Sequence, residues 1–266
     1  MIFVLGGFWL HPLTFVLAGL VILAGTQYEY LIMIRNTGVK PQLVPGMITG
    51  AASYLLATLI AAGILPVKFL LVLIPVMLLI MIVELYRRQE KPFDSLAHTF
   101  FSVLYTGIPL SMFPFAAFSR SGLDSILPHR LEMFSPGIII GFFLLIWAND
   151  TGAYLAGVSF GKHKLFERIS PKKTWEGFFG GVLLVVIVAW LLSSWLGVVG
   201  RTQWIIIALI VSVAGTYGDL IESMLKRSLG VKDSGNIMPG HGGFLDRFDS
   251  AIISFPLVYL FIALFG

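Results

Sequence analysis

Residues 203–226 read QWIIIALIVSVAGTYGDLIESMLK, and this stretch decides the fold class of the chain. Its first half is an unbroken apolar run, and about 20 such residues in a row can cross a bilayer as a helix. Its second half brings polar side chains onto one helical face, because their spacing is three and four residues: Asp219, Glu222, Ser223 and Lys226. A polar stripe inside a membrane helix predicts a wet cavity on that side rather than lipid.

Seven further apolar runs accompany this one in a chain of 266 residues with a mean hydropathy of +0.91. Such a composition is typical of membrane proteins and lies outside the range of soluble domains. Residues 1–10 are also apolar but too short to span. We therefore predict an all-α, polytopic integral membrane protein of about eight transmembrane helices plus a short N-terminal apolar stub. The eight runs are residues 12–34, 44–63, 67–86, 97–118, 136–157, 177–198, 203–226 and 249–265.

The basic residues are distributed unevenly between the loops. Alternate loops hold 14 of the 18 Lys and Arg residues, and the remaining loops hold only Lys68, Arg120, Arg130 and Arg201. Cytoplasmic loops of membrane proteins collect Lys and Arg. The pattern predicts a multi-pass protein of the cell (inner or plasma) membrane, with loops 158–176 and 227–248 in the cytoplasm.

The polar clusters lie almost entirely in the second half of the chain. We predict an N-terminal scaffold of transmembrane helices over residues 1–135 and a C-terminal catalytic region over residues 136–266. The small-residue pairs Gly46-x3-Gly50 and Gly137-x3-Gly141 are typical of close helix packing. A homodimer remains open as the alternative reading of those pairs. The chain has no cysteine, so disulfides, thiolate metal sites and a thiol nucleophile are excluded.

Residues 223–249 read SMLKRSLGVKDSGNIMPGHGGFLDRFD and hold the densest set of charges. Carboxylates that can hold a divalent cation, set among bases that can hold phosphates, are typical of phosphoryl or nucleotidyl transfer. Glycines beside His241 allow backbone amides to approach a phosphate closely. The candidate cations are Lys226, Arg227, Lys232 and Arg247, and the candidate phosphate-binding glycines are Gly242 and Gly243.

A second polar block begins at Asp150, inside an apolar run where an ionisable group is expensive and therefore suggests function. It continues into a basic loop with Lys172 and Lys173. Ser170-Pro171 has the form of a helix N-cap followed by proline at the first helical position. Exposed amides at such a helix start, beside two lysines, predict an anion site.

Both blocks together resemble the phosphatidate cytidylyltransferase (CDP-diacylglycerol synthase) family. The resemblance is carried by the 223–249 block and by the segment from Asp150 to Gly177, including SPKKT-x-EG at 170–177. Met238 is the one conservative departure. The first half of the chain is similar to the family only in consisting of apolar helices.

The resemblance implies transfer of the cytidylyl group of CTP to phosphatidic acid, giving CDP-diacylglycerol and pyrophosphate. CTP, phosphatidic acid and membrane lipid are then the expected partners, and no nucleic acid is expected. The residues that would serve the reaction are Asp219, Asp246, Lys226 and His241, with Lys172, Lys173, Arg227, Lys232 and Arg247 as phosphate ligands. Whether Lys172 and Lys173 hold the nucleotide or the lipid phosphate stays open, as does a catalytic or structural role for His241.

A magnesium ion is the expected cofactor, because hard cations take oxygen ligands. Asp219 and Asp246 are the predicted pair of ligands, and Asp249 could complete the shell or hold a second cation. The alternative enzyme is another CTP-dependent lipid transferase or kinase acting on a polyprenol or an ether lipid. A transporter could also carry intramembrane carboxylates, but it would not need a cytoplasmic block dense in phosphate ligands.

Overall fold

A computed structural model describes residues 2–118, 134–235 and 242–265, and this part of the chain is predominantly helical. A 3-10 helix, Val67–Val72, leads into α4, and a π-helix, Val103–Gly107, joins α5 to α6. The helices are α1 Ile2–Leu10, α2 Pro12–Arg35, α3 Leu43–Ala61, α4 Leu73–Arg87, α5 Pro92–Ser102, α6 Ile108–Ser111, α7 Phe113–Ala117, α8 Gly137–Phe160, α9 Trp175–Trp195, α10 Arg201–Ser228 and α11 Leu245–Phe265; the strands are β1 Lys164–Phe166 and β2 Ser170–Thr174.

The predicted fold class is confirmed. Within the described residues, eight helical segments are long and apolar enough to cross a membrane. Each corresponds to one of the eight predicted runs, and α1 is the expected short stub of nine residues. The His11 side chain separates α1 from α2, since its Nδ1 accepts a hydrogen bond from the Leu13 amide at 3.1 Å and caps the longer helix.

The fourth span starts earlier than predicted, at Pro92 rather than at residue 97, and it is not a uniform helix. Its backbone widens to a π turn over Val103–Gly107, where the Ile108 amide donates to the Val103 carbonyl. Pro109 follows at once and has no amide to donate to the preceding turn. A local π turn is one way a membrane helix accommodates such a residue.

The chain divides into two compact units. The first contains residues 1–136 together with residues 233–245, and the second contains residues 137–232 and 246–266. The motif block of residues 223–249 is thus shared between the two units. Residues 223–232 and 246–249 of the block belong to the second unit, and residues 233–245 belong to the first.

Several buried polar side chains in the first unit pair with one another. The Gln27 amide, fully buried on α2, donates to the Gly46 carbonyl at 2.9 Å and to the Ser102 hydroxyl at 3.0 Å. Glu84 pairs with Arg87 at 2.7 Å, as the i,i+3 spacing predicts. Gly46 and Gly50 therefore serve packing within the chain, where Gly50 leaves room for the Gln27 side chain.

The second unit is built on close contact between α8 and α9. A side chain at Gly152 would meet the Gly180 carbonyl at 2.7 Å, so the two helix backbones can approach only because no Cβ is present. Gly141 makes the same kind of room for the fully buried ring of Trp204 on α10. These helices are therefore tightly packed. The polar residues lie at the helix ends that the distribution of basic residues predicts to face the cytoplasm.

The loop between α8 and α9 corrects one prediction. Ser170-Pro171 does not start a helix; these residues belong to β2, which pairs antiparallel with β1. Proline is compatible with a two-stranded ribbon because its missing amide can face outward. The helix start lies four residues further on, where the Thr174 hydroxyl accepts a hydrogen bond from the Gly177 amide at 3.1 Å.

Candidate active site

The predicted polar face of α10 exists. The Ser223 hydroxyl donates to the Asp219 carboxylate at 3.2 Å, one helical turn away. One turn further on, Lys226 lies 2.5 Å from Glu222. All four polar residues therefore lie along one side of a membrane-spanning helix.

Lys226 is shared by two carboxylates. Its Nζ lies 2.5 Å from Glu222 Oε2 and 2.6 Å from Asp246 Oδ1 at the start of α11. The three side chains are 13%, 1% and 15% exposed, respectively. We call them the Lys226 cluster. The cluster therefore places two acids around one base in a region that water barely reaches.

Asp219 has a different cation. Its Oδ2 lies 2.8 Å from Nζ of Lys173, which extends from strand β2. The same ammonium donates to the Thr216 carbonyl on α10 at 3.3 Å. Asp219 keeps 38% of its side chain exposed, far more than either acid of the Lys226 cluster. This pair is therefore open to solutes.

Asp249, one turn after Asp246 on α11, is buried. Its Oδ1 accepts a hydrogen bond from the Ser250 amide at 2.5 Å. Its charge interacts with those of Asp219 and Asp150, so three carboxylates from α8, α10 and α11 lie within electrostatic reach of one another. Lys173 offsets only part of this negative charge.

Asn149 and Asp150 have separate roles at the end of α8. Asn149 is buried, and its Oδ1 accepts a hydrogen bond from the Ser212 hydroxyl on α10 at 2.5 Å. Asp150 instead faces a cavity. The amide therefore ties two helices together, while the adjacent carboxylate faces open space.

That cavity has a volume of about 650 Å³, which is in the range common for ligand sites. We call it the α8–α10 cavity. Its walls combine acids, bases and aromatic rings from the second unit. The charged and hydroxyl-bearing residues that line it are Asp150, Tyr154, Lys164, Lys172, Lys173, Thr174, Thr216, Asp219 and Ser250.

Glu176 binds the residues that lead into the ribbon of β1 and β2. Its carboxylate accepts hydrogen bonds from the backbone amides of Lys162 and His163, at 3.1 and 3.2 Å. The His163 ring nitrogen Nδ1 lies 2.6 Å from the same group. These contacts hold the start of the ribbon against the first turn of α9, so the lysines of β2 extend from a fixed support.

The structure brings some of the predicted site residues together and leaves others apart. Asp219, Lys172 and Lys173 meet at the cavity, and Lys226 joins Asp246. Arg227, Lys232 and Arg247 are exposed, and none of the three lines the α8–α10 cavity. Gly242 has a φ of 79°, a conformation that favours glycine, and Gly243 is buried. His241 lies outside the described residues.

The comparison with protein families now decides the identity. The model of the cytidylyltransferase family matches residues 1–265. This chain belongs to the cytidylyltransferase family. The resemblance found in the two sequence blocks is thereby confirmed, and it extends over the apolar first half as well.

Individual members of the cytidylyltransferase family align with parts of the chain. A phosphatidate cytidylyltransferase of Bacillus subtilis is 44% identical over 139 residues, which are 52% of this chain and 52% of that protein. One from Staphylococcus epidermidis is 41% identical over 172 residues, 61% of this chain and 66% of that protein. One from Staphylococcus aureus is 50% identical over 122 residues, 45% and 46% of the two chains. The alignments thus span about half to two thirds of these relatives' lengths.

The donor set fits a divalent cation by its chemistry. Asp219, Asp249 and Asp150 offer carboxylate oxygens, which are the ligands that magnesium prefers. Their side chains are not gathered into a ready-made cage: over the described ranges, no group of three or more acidic, His or Cys side chains is arranged to hold a metal ion. Asp246 contacts Lys226 instead, so its predicted pairing with Asp219 around magnesium stays a prediction.

Sequence reasoning left three members of this region out of the predicted site. Asp150 and Lys164 line the α8–α10 cavity, and Glu222 shares Lys226 with Asp246. Asp150 could have been included on the strength of its position in an apolar run. Lys164 had no such signal, because one more lysine in a basic loop is equally well explained by membrane topology.

Proposed function

We propose that this chain transfers the cytidylyl group of CTP to phosphatidic acid, releasing pyrophosphate and forming CDP-diacylglycerol. The observation that carries the proposal is the α8–α10 cavity, where three lysines lie beside two aspartates at the end of membrane-spanning helices. The names of the relatives support the choice of substrates. The arrangement suits a lipid phosphate and a nucleotide that must meet at the membrane surface.

The reaction needs no nucleophile from the protein. An oxygen of the lipid phosphate attacks the α-phosphorus of CTP, and the bond between the α-phosphorus and its bridging oxygen breaks. Pyrophosphate leaves with that electron pair. The protein's task is to position two anionic groups and to offset their mutual repulsion, which is how proximity and preorganised charge lower such barriers.

The lysines of the ribbon are suited to the phosphates. Lys172 and Lys173 extend from β2, and Lys164 from β1 faces the same cavity. Lys173 lies against Asp219 and is thereby held in place rather than left to sample many rotamers. We propose that Lys226, Arg227, Lys232 and Arg247, with the amides of Gly242 and Gly243, serve the triphosphate and the departing pyrophosphate.

Magnesium is the proposed cofactor, held by Asp219 with Asp246 and Asp249. When bound, it would neutralise the nucleotide phosphates as charge shifts toward the leaving group. The burial of Asp249 and the partial exposure of Asp219 support an ion reached from the cavity side. We propose that His241 donates a proton to the pyrophosphate or shapes its loop.

The chain is a multi-pass membrane protein, and we propose that its active site faces the cytoplasm, where CTP is made. The distribution of basic residues supports this orientation. A cysteine introduced at the exposed Lys164 can be labelled selectively, because the natural chain has no cysteine. Labelling in intact cells only by a reagent that crosses the membrane is the expected outcome. Labelling by an impermeant reagent from outside would reject the orientation.

The decisive experiment incubates purified protein with labelled CTP, magnesium and phosphatidic acid in lipid bilayers. We expect release of pyrophosphate only when phosphatidic acid is present, together with a labelled lipid product. Turnover with a polyprenol and none with phosphatidic acid would reject the proposal in favour of the other lipid transferase. Hydrolysis of CTP without any lipid acceptor would reject it as well.

A further inference from the structure

Glu29 is a buried carboxylate that the proposed chemistry does not use. It lies on α2 within the first unit and is only 2% exposed. The sequence gives it no neighbouring base. In the structure its Oε2 accepts two hydrogen bonds, one from the Ser234 hydroxyl and one from the Leu245 amide, each at 2.9 Å.

These two donors mark the ends of one segment. Ser234 and Leu245 belong to the stretch of residues 233–245 that packs with the first unit. Between them lie Gly242 and Gly243, the proposed phosphate-binding glycines. Asp246, the partner of Lys226, follows Leu245 directly in the chain. A single carboxylate oxygen therefore holds both ends of the segment that carries the glycine motif.

The contact to Leu245 also caps a helix. Leu245 is the first residue of α11, and the first amides of a helix have no acceptor within that helix. A negative group at this end is favourable because the helix dipole is positive there. Glu29 supplies the acceptor from 216 residues away in sequence.

The packing around the carboxylate leaves it little freedom. A Cβ built on Gly235 would lie 2.8 Å from Glu29 Oε1, and one built on Gly243 would overlap Oε2. A Cβ on Gly25, one turn before Glu29, would meet the Phe244 ring at 2.6 Å. Glycines at these three positions let the segment close around the carboxylate. Glu29 is therefore enclosed by the segment that it binds.

We infer that Glu29 is a positioning residue for the two ends of this segment, residues 234–235 and 242–245. It fixes where the Gly242–Gly243 backbone and the start of α11 lie, and through them it governs binding of the nucleotide phosphates. The inference rests on the proposed function only for its kinetic consequence. The contact itself, and its effect on the segment, can be measured without any substrate.

Three substitutions separate acceptor geometry from charge. Glu29→Gln can place its carbonyl oxygen at the Oε2 position and keep both hydrogen bonds, because Oε1, which the amide nitrogen would replace, has no hydrogen-bond partner among the described residues. Glu29→Asp keeps the charge but withdraws the oxygens by one methylene. Glu29→Ala removes the acceptor that the Ser234 hydroxyl and the Leu245 amide share.

The experiment combines hydrogen exchange with kinetics on the full-length protein in bilayers. Exchange is followed in the peptide that carries Leu245, and the KM for CTP is measured separately from kcat. We expect Glu29→Ala to speed exchange of that peptide at least tenfold and to raise the KM for CTP at least tenfold. Glu29→Gln should stay within about threefold of the natural protein in both measurements, and Glu29→Asp should lie between them.

Glu84→Ala is the matched control. It removes another buried carboxylate of the first unit, one that contacts Arg87 and Gln42 instead of the 234–245 segment. It should lower stability without selectively changing exchange at Leu245. A Glu29→Ala variant whose exchange matches this control, or a Glu29→Gln variant as impaired as Glu29→Ala, would overturn the inference. Absence of turnover with phosphatidic acid in the natural protein would reject the proposed function, whereas the exchange result would still decide the role of Glu29.

Discussion

Two lysine–carboxylate groups in the second unit have the same chemistry but different surroundings. Lys226 lies between Glu222 and Asp246, and all three side chains are at most 15% exposed. Lys173 meets Asp219 at the α8–α10 cavity, where the carboxylate is 38% exposed. A closed group exchanges its partners less readily than an exposed one. An open pair can give up its partner to an incoming ion or phosphate.

The difference implies a division of labour. Removing one member of a closed group leaves an uncompensated charge inside the protein, which is strongly destabilising. Removing one member of an open pair lets water take its place, so stability changes little. Because Asp246 also belongs to the proposed cation site, changes in the closed group should affect both stability and turnover, whereas changes in the open pair should affect substrate binding and turnover alone. The predictions below test this division, beginning with the largest expected effect.

The first prediction concerns Asp219→Asn and Asp246→Asn, which keep size and remove charge. If the two aspartates hold one cation during turnover, each change should lower kcat by about 10³-fold, and the double variant should be scarcely worse. Titration of activity with magnesium should show a weakened dependence in each. If instead they serve only Lys173 and Lys226, the defects will be independent and multiply, with the magnesium dependence unchanged. A near-normal rate in Asp219→Asn would falsify the cation assignment.

The second prediction concerns Lys226→Met, which keeps the length of the side chain and removes its charge. Glu222 and Asp246 would then face each other without a cation. We expect a loss of about 3 kcal/mol in stability, the range for breaking a buried ion pair. Denaturation in detergent should reveal it. Combining Lys226→Met with Glu222→Gln should recover part of the loss, because the repulsion between the two acids is then removed; no recovery would show that the charge is not the cause.

The third prediction applies the same change to the open pair. Lys173→Met should alter stability by less than about 1 kcal/mol, because Asp219 remains accessible to water. The KM for CTP or for phosphatidic acid should rise about tenfold, through loss of one phosphate contact. Lys68→Met, outside both motif blocks and not among the residues that line the cavity, is the control. Equal effects of Lys173→Met and Lys226→Met on stability would contradict the comparison.

The sequence was sufficient for what depends on local pattern. Hydropathy located eight spans, and i,i+4 spacing predicted the contact between Glu222 and Lys226. It could not predict that Lys173 would pair with Asp219, because the two residues are 46 positions apart and any of several lysines could have done so. The partners of Glu29 could not be predicted either, because Ser234 and Leu245 lie 205 and 216 positions further along the chain.

The ribbon of β1 and β2 was missed because its sequence favours another structure. Ser-Pro is a common helix start, and pairing of Lys164–Phe166 with Ser170–Thr174 has no alternation of apolar residues to reveal it. The residue that does begin α9, Thr174, is also a good N-cap, so the sequence held two candidates four residues apart. Tertiary contacts of Thr174 decide between them.

The fourth and smallest prediction tests that choice. Thr174 is buried, its hydroxyl accepts from the Gly177 amide, and strand β2 ends at this residue. Thr174→Ala removes the cap and should lower stability by about 1 kcal/mol. Thr174→Ser keeps the hydroxyl and should recover most of the lost stability.

Because Lys172 and Lys173 immediately precede the cap, fraying of the first turn of α9 should also raise the KM of a phosphate-bearing substrate slightly, with kcat unchanged. Thermal unfolding in detergent and steady-state kinetics would measure the two effects. If Ser170→Ala, at the other candidate cap, lowered stability more than Thr174→Ala, the assigned start of α9 would be wrong.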